Sequence, residues 1–139
     1  MVGKPEGRVL IVDDDKHAVE ILDRLLQKDG FEVLRAQSGP EALTIAAVEQ
    51  IDVILLDVMM PEMNGFEVCE KLRAAERTRD IPVILLTARD DMETRVLGMK
   101  RGVSEFLTKP INKRELFSRI RAQIHQRKLD HGIDSILTN

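Results

Sequence analysis

Five short runs of aliphatic, largely β-branched residues punctuate the chain, separated by longer stretches whose apolar positions recur every three or four residues. The short runs predict strands at 8–12, 32–36, 51–56, 82–86 and 104–107. The stretches between them predict helices. In the first, Ala18, Ile21, Leu22, Leu25 and Leu26 share one side, and Asp29-Gly30 ends it as a glycine C-cap would. Ser38-Gly-Pro-Glu41 opens the second, with Ala42, Leu43, Ala46 and Ala47 as its apolar side. Asn64-Gly65 opens the third, and the fourth spans roughly 91 to 100, stopping before Gly102. The fifth starts at Asn112, a good N-cap, and presents Leu116, Ile120 and Ile124 on one face. Strands alternating with helices predict repeated βα units around a parallel sheet, an α/β fold.

The residues that follow the strands carry the chemistry. Asp13 and Asp14 follow the first, Asp57 the third, Thr87 the fourth and Lys109 the fifth. In an open parallel sheet the carboxyl ends of the strands face one crevice, so these side chains are expected to converge there. Two carboxylates about 4 Å apart repel by roughly 4 kcal/mol at an effective dielectric near 20, so three of them need a cation or must take up protons. A hard divalent ion with oxygen ligands answers that need, and Mg2+ fits best.

Composition narrows the classes. The 139 residues suit one domain, and 43% hydrophobic with 32% charged residues suits a globular protein that needs no membrane. Trp and Tyr are absent and only four Phe are present, which argues against nucleic-acid binding by base stacking. A formal net charge of -3 exerts no general pull toward DNA or anionic lipid. No apolar run reaches transmembrane length and no signal peptide is visible, so a cytoplasmic location is expected. Cys69, the only cysteine, shares a helical face with Phe66 and Leu72 and reads as a small buried thiol. His17, His125 and His131 show no metal-ligand spacing.

Four motifs taken together resemble the receiver domain of two-component response regulators: Val12-Asp-Asp-Asp15, Leu56-Asp-Val-Met-Met-Pro-Glu-Met-Asn-Gly65, Leu86-Thr-Ala88 and Phe106-Leu-Thr-Lys-Pro110. The likeness covers residues 8–126, leaving 1–7 as a disordered N-terminal segment and 127–139 as a C-terminal helical extension or linker. It implies a doubly wound five-stranded parallel sheet of flavodoxin-like order 2-1-3-4-5, with helices on both faces. It makes Asp57 the phosphoacceptor, with Asp14, Asp57 and the Met59 backbone carbonyl binding Mg2+ directly and Asp13 acting through water. Lys109 and Thr87 would contact the phosphoryl group. Thr87 and Phe106 would form the switch, purely steric because Phe lacks the hydroxyl of Tyr. Met59, Ala88 and Arg89 would tune access to the phosphoryl group and its lifetime, and the Lys109-Pro110 peptide is expected to be cis. Asp15 has no such role and reads as a loop or N-cap residue.

The implied function is a signalling switch that takes a phosphoryl group from a histidine kinase or phosphotransfer protein, catalysing its own phosphorylation and slow dephosphorylation. Arg95, Glu105, Glu115 and Arg119 match charged positions that pair in receiver dimers formed through the fourth helix, fifth strand and fifth helix. An alternative of a different class is a Mg-dependent phosphohydrolase of the haloacid dehalogenase type, with Asp13 as nucleophile and Asp15 as general acid. DNA binding is a third idea, because residues 109–128 hold seven Lys or Arg and one acid, Glu115. No recognition-helix motif accompanies them, so a solvated basic face is the simpler reading and no direct nucleic-acid binding is expected. The tail from Leu129 to Thr138 loosely resembles the phosphoacceptor-histidine helix of sensor kinases, with His131 at the histidine position; a plain helical extension is the simpler expectation.

Overall fold

A computed structural model describes the backbone of residues 5–88 and 91–138 and the side chains of 5–88 and 91–130. Five strands and five helices alternate: β1 (Arg8–Val12), α1 (Lys16–Lys28), β2 (Glu32–Ala36), α2 (Gly39–Val48), β3 (Val53–Asp57), α3 (Gly65–Ala74), β4 (Val83–Thr87), α4 (Met92–Lys100), β5 (Glu105–Thr108) and α5 (Lys113–Thr138). The strands form one parallel sheet in the order β2-β1-β3-β4-β5. Among the described residues, no helix is long and apolar enough to cross a membrane.

The near-continuous apolar runs of the central strands follow from burial on both faces. Side chains alternate across the sheet: Leu10, Val12, Ile54, Leu56, Val83 and Leu85 join one core cluster with α2 and α3. Val9, Ile11, Val53, Leu55, Ile84 and Leu86 join the other, covered by Val19, Leu22 and Leu26 of α1 and Leu116, Phe117, Ile120 and Ile124 of α5. Cys69 is fully buried, and burial pushes its thiol pKa up, as suits an inert packing residue.

Local chemistry sets the helix starts. Asp15 caps α1 by accepting from the His17 and Ala18 N–H groups, and Ser38 caps α2 through the Glu41 N–H. Asn64 and Glu67 form a reciprocal capping box on α3. Asp91 caps α4, and Asn112 accepts from the Glu115 N–H at the start of α5.

Three strands end one residue later than their apolar pattern predicts, so Asp57 and Thr87 are the last residues of β3 and β4 rather than the first beyond them. Ile51 is buried but lies outside β3, and Pro82 has no N–H to give to the ladder. The Ser104 hydroxyl accepts the Val83 N–H at 3.1 Å in place of a strand carbonyl. Ile21, expected in the core, is 48% exposed, whereas Asp23 is buried and pairs with Arg35 and Gln27. The face of α1 that meets the sheet runs through 19, 22 and 26, and Ile21 lies to its side. Ala47 is likewise exposed. Glu6 and Gly7, assigned to a disordered segment, bond to the body: the Glu6 N–H donates to the Gly30 carbonyl and the Gly7 carbonyl accepts from Glu32. α5 continues as one helix through Gly132 to Thr138.

Candidate functional site

The carboxyl edge of the sheet gathers the predicted residues. Asp57 ends β3 beside Leu86, held by the Val58 N–H donating to the Leu86 carbonyl at 3.2 Å. Asp13 leaves β1 with its N–H on the Ala36 carbonyl at 3.1 Å, and its Oδ1 accepts the Asp15 N–H at 3.0 Å. Lys109 leaves β5 with its N–H on the Thr87 carbonyl at 2.8 Å, which ties the ends of β4 and β5 together. Its Nζ lies 2.7 Å from Asp57 Oδ1 and 3.9 Å from Asp13 Oδ2. The Lys109-Pro110 peptide is cis, as the resemblance implies.

Oxygen atoms of Asp13, Asp14 and Asp57 all lie within 4.8 Å of one another. Neighbouring ligands of an octahedral ion with bonds near 2.05 Å stand about 2.9 Å apart and opposite ones about 4.1 Å, so this all-oxygen set fits magnesium after small rotations. Asp13 and Asp57 are buried and Asp14 is exposed, which leaves one open side for water or a ligand. Burial raises the Asp13 pKa, the nearby Asp57 charge adds to it, and the Asp15 N–H and Lys109 oppose it. For Lys109, burial acts to lower the pKa, but the hydrogen bond and charge of Asp57, with Asp13, outweigh it and raise it.

Thr87 is buried at the end of β4, next to the exposed Ala88. Met59 is 76% exposed at the rim, and Arg89 lies outside the described residues. Asp15 does not join the carboxylate cluster, because its Oδ1 is engaged in capping α1. The phosphohydrolase reading needs Asp15 beside Asp13 as general acid, whereas the cluster is Asp13, Asp14 and Asp57, and nothing supports that reading.

Two glycines shape the site, Gly65, read from the sequence only as the start of the third helix, and Gly98, which carried no sequence reading. A Cβ on Gly65 would stand 2.6 Å from the Asp57 carbonyl oxygen and 3.0 Å from Val58 Cα, while the Gly65 N–H donates to the Val58 carbonyl at 2.9 Å. Only glycine lets α3 start this close to the phosphoacceptor candidate. A Cβ on Gly98 would collide with Cζ and Cε1 of the Phe106 ring, so Phe106 rests against α4, with the Arg95 guanidinium 5.4 Å from its ring centre. An isolated glycine inside a helical pattern could have marked the position, though not its partner.

The basic stretch of α5 is largely engaged within the domain. Arg121 pairs with Glu6 and Asp29, Arg119 lies 3.8 Å from Glu105, and Arg127 donates to the Ile51 carbonyl. Beside the acidic crevice, Ala18, Ile21 and Leu25 of α1 face Pro110 and Ile111 across an open groove of about 420 Å³.

Comparison with known proteins agrees with this geometry. The profile of the response regulator receiver domain matches residues 9–121. The chain is 49% identical over 116 residues to the response regulator PleD of Caulobacter vibrioides, covering 84% of this chain and 26% of PleD. It is 43% identical over 128 residues to the response regulator MprA of Mycobacterium sp. (strain KMS), covering 92% of this chain and 55% of MprA. The chain thus spans about a quarter to about half the length of these relatives. The structure of the chemotaxis protein CheY4 of Vibrio cholerae superposes with a TM-score of 0.80 at 34% identity, covering 84% of this chain and 97% of that one. The chain therefore belongs to the response regulator receiver domain family, the phosphorylation-dependent switches of two-component signalling.

Proposed function

We propose that Asp57 is the phosphoacceptor and that this chain promotes its own phosphorylation from a histidine kinase or phosphotransfer protein. The single observation carrying this is the Lys109 ammonium 2.7 Å from Asp57 Oδ1 inside an acidic crevice. An Asp57 oxygen attacks the phosphorus, a P–O bond forms, and the bond to the donor's leaving group breaks. Lys109 faces the negative charge that shifts onto the phosphoryl oxygens, and the Thr87 hydroxyl donates to one of them. Asp13, Asp14 and Asp57, with the Met59 carbonyl, would hold Mg2+. When bound, the ion supplies positive charge that offsets repulsion between nucleophile and phosphoryl oxygens.

The apolar groove between α1 and Pro110-Ile111 borders the crevice and suits contact with the phosphodonor protein. Phosphorylation draws Thr87 inward and releases Phe106 from α4, which alters the α4–β5–α5 face. Exposed Met92, Val96 and Met99 on α4 support a partner-binding role for that face. Phosphorylation-promoted pairing of two chains there would exchange the internal Arg119–Glu105 pair for contacts among Arg95, Glu105, Glu115 and Arg119. Exposed ion pairs contribute about 0–1 kcal/mol each, so that added contact is weak and salt-sensitive. Met59, Ala88 and Arg89 then set how readily water reaches the phosphoryl group. The domain proper spans 8–126, and the remainder of α5 serves as an extension.

The test is phosphoryl transfer from a small phosphodonor, followed with magnesium and with excess chelator. Labelling confined to the magnesium sample is expected, and equal labelling in chelator contradicts the proposal.

A further inference from the structure

The apolar side of α5 changes partway along the helix. Leu116, Phe117, Ile120 and Ile124 are buried against the sheet. Arg127 continues that side and ends it, its Nη1 donating to the Ile51 carbonyl at 2.8 Å. Further apolar residues then fall at 129, 133, 136 and 137. At about 100° per residue these positions lie roughly 120–220° around the axis from Ile124, on the side away from the domain core. Leu129 is accordingly 48% exposed. The backbone is one helix to Thr138, so the phase is kept across this change.

Ala122, Gln126, Leu129, Ile133 and Ile136 follow one another at steps of four, three, four and three residues. That is the 3.5-residue seam of a coiled coil, with 126 and 133 at a positions and 122, 129 and 136 at d positions. We propose that the C-terminal part of α5 forms a parallel, in-register two-stranded coiled coil with a second copy of this chain, independently of phosphorylation. In that pairing each seam residue meets itself, so one stripe supplies both halves of the interface. Ile at an a position with Leu at the preceding d favours two strands, and the polar Gln126 layer selects the register. His125 and Asp130 then occupy g and e positions five residues apart, which a parallel pairing brings together between copies. Gly132 falls outside the seam. Toward the domain the same stripe continues as Arg119 and Glu115, both exposed and charged, so the apolar contact begins only at Ala122.

Two heptads make a weak association, with a dissociation constant on the order of 10–1000 μM. Single-cysteine chains test it: Cys69→Ala with Leu129→Cys, Ile136→Cys or Lys128→Cys, oxidised mildly without any phosphodonor. Positions 129 and 136 should form disulfide-linked dimers and position 128, off the seam, should not. Equal cross-linking at 128 and 129, or none at 129 and 136, overturns the proposal. Sedimentation equilibrium of the otherwise unaltered chain should show mass rising with concentration, with dissociation at least tenfold easier in Ile133→Asp. A plain monomer near 1 mM, or an unchanged equilibrium in Ile133→Asp, overturns it as well. Neither experiment depends on Asp57, so their outcome is separate from that of the phosphorylation reading.

Discussion

The Lys109 ammonium and the Asp57 carboxylate meet at 2.7 Å although the two residues stand 52 positions apart in the chain. Lys109 also faces Asp13 at 3.9 Å, so one cation serves two buried carboxylates. In Lys109→Met the charge that stabilises the transferring phosphoryl group is gone, and phosphorylation by a small phosphodonor should slow on the order of 10²-fold. Magnesium affinity should rise, because the ammonium no longer competes for Asp57 Oδ1. Stopped-flow kinetics and titration calorimetry read the two effects, and an unchanged phosphorylation rate would count against the assigned role.

Acidity should act on the site through Asp13. Its pKa is raised from the ordinary 3.8, chiefly by burial, so the folded chain holds that proton more readily than the unfolded one. Metal-free stability contributed at this residue therefore falls as pH rises from 3.8 through the raised value. Asp13→Asn keeps the acceptor for the Asp15 N–H and removes the charge; the metal-free melting temperature should rise by about 3 °C while magnesium affinity drops. Lys109 has the same sense of dependence, in a higher pH range. Its stabilisation is fully present below its ordinary 10.5 and is lost as pH rises through the higher folded value. A metal-free melting temperature that falls in Asp13→Asn contradicts this account of the crevice.

Gly65→Ala places a methyl group 2.6 Å from the Asp57 carbonyl oxygen, a backbone atom that has little freedom to retreat. Overpacking of this kind typically destabilises by about 1–3 kcal/mol. Urea denaturation should show a loss in that range, accompanied by slower phosphorylation as the end of β3 shifts. Wild-type stability in Gly65→Ala would mean that α3 starts elsewhere.

Gly98 and Phe106 should be coupled. With Phe106 in place, Gly98→Ala is destabilising, because the new Cβ meets the ring. In a Phe106→Ala background the same change should stabilise by about 1 kcal/mol, the intrinsic helical advantage of Ala over Gly. A double-mutant cycle by denaturation measures this sign reversal, and additive effects would show that the ring does not rest on α4.

How far the sequence could be read depended on which physical signal each feature leaves. Strands were legible to within one or two residues because burial on both faces leaves unbroken aliphatic runs, as in Val53–Asp57 and Val83–Thr87. Their ends slipped where burial and ladder pairing part company: Ile51 is buried but lies outside the ladder, and Ser104 supplies a hydroxyl where a strand would supply a carbonyl. Ile21 was misplaced because apolar spacing alone does not separate the sheet-facing stripe of α1 from its flank, where Asp23 is buried through Arg35. The convergence of Asp13, Asp14, Asp57 and Lys109 was legible because parallel topology sends every strand end to one edge. The contacts of Gly65 with Asp57 and of Gly98 with Phe106 were not, since a missing side chain leaves no pattern until its neighbours have positions.

Asp57 alone is expected to accept the phosphoryl group, and intact-mass spectrometry reads this on the whole chain. Incubated with acetyl phosphate and magnesium, the wild-type chain should gain the mass of one phosphoryl group, and Asp57→Ala should gain none. A phosphoryl adduct that persists in Asp57→Ala would contradict the account.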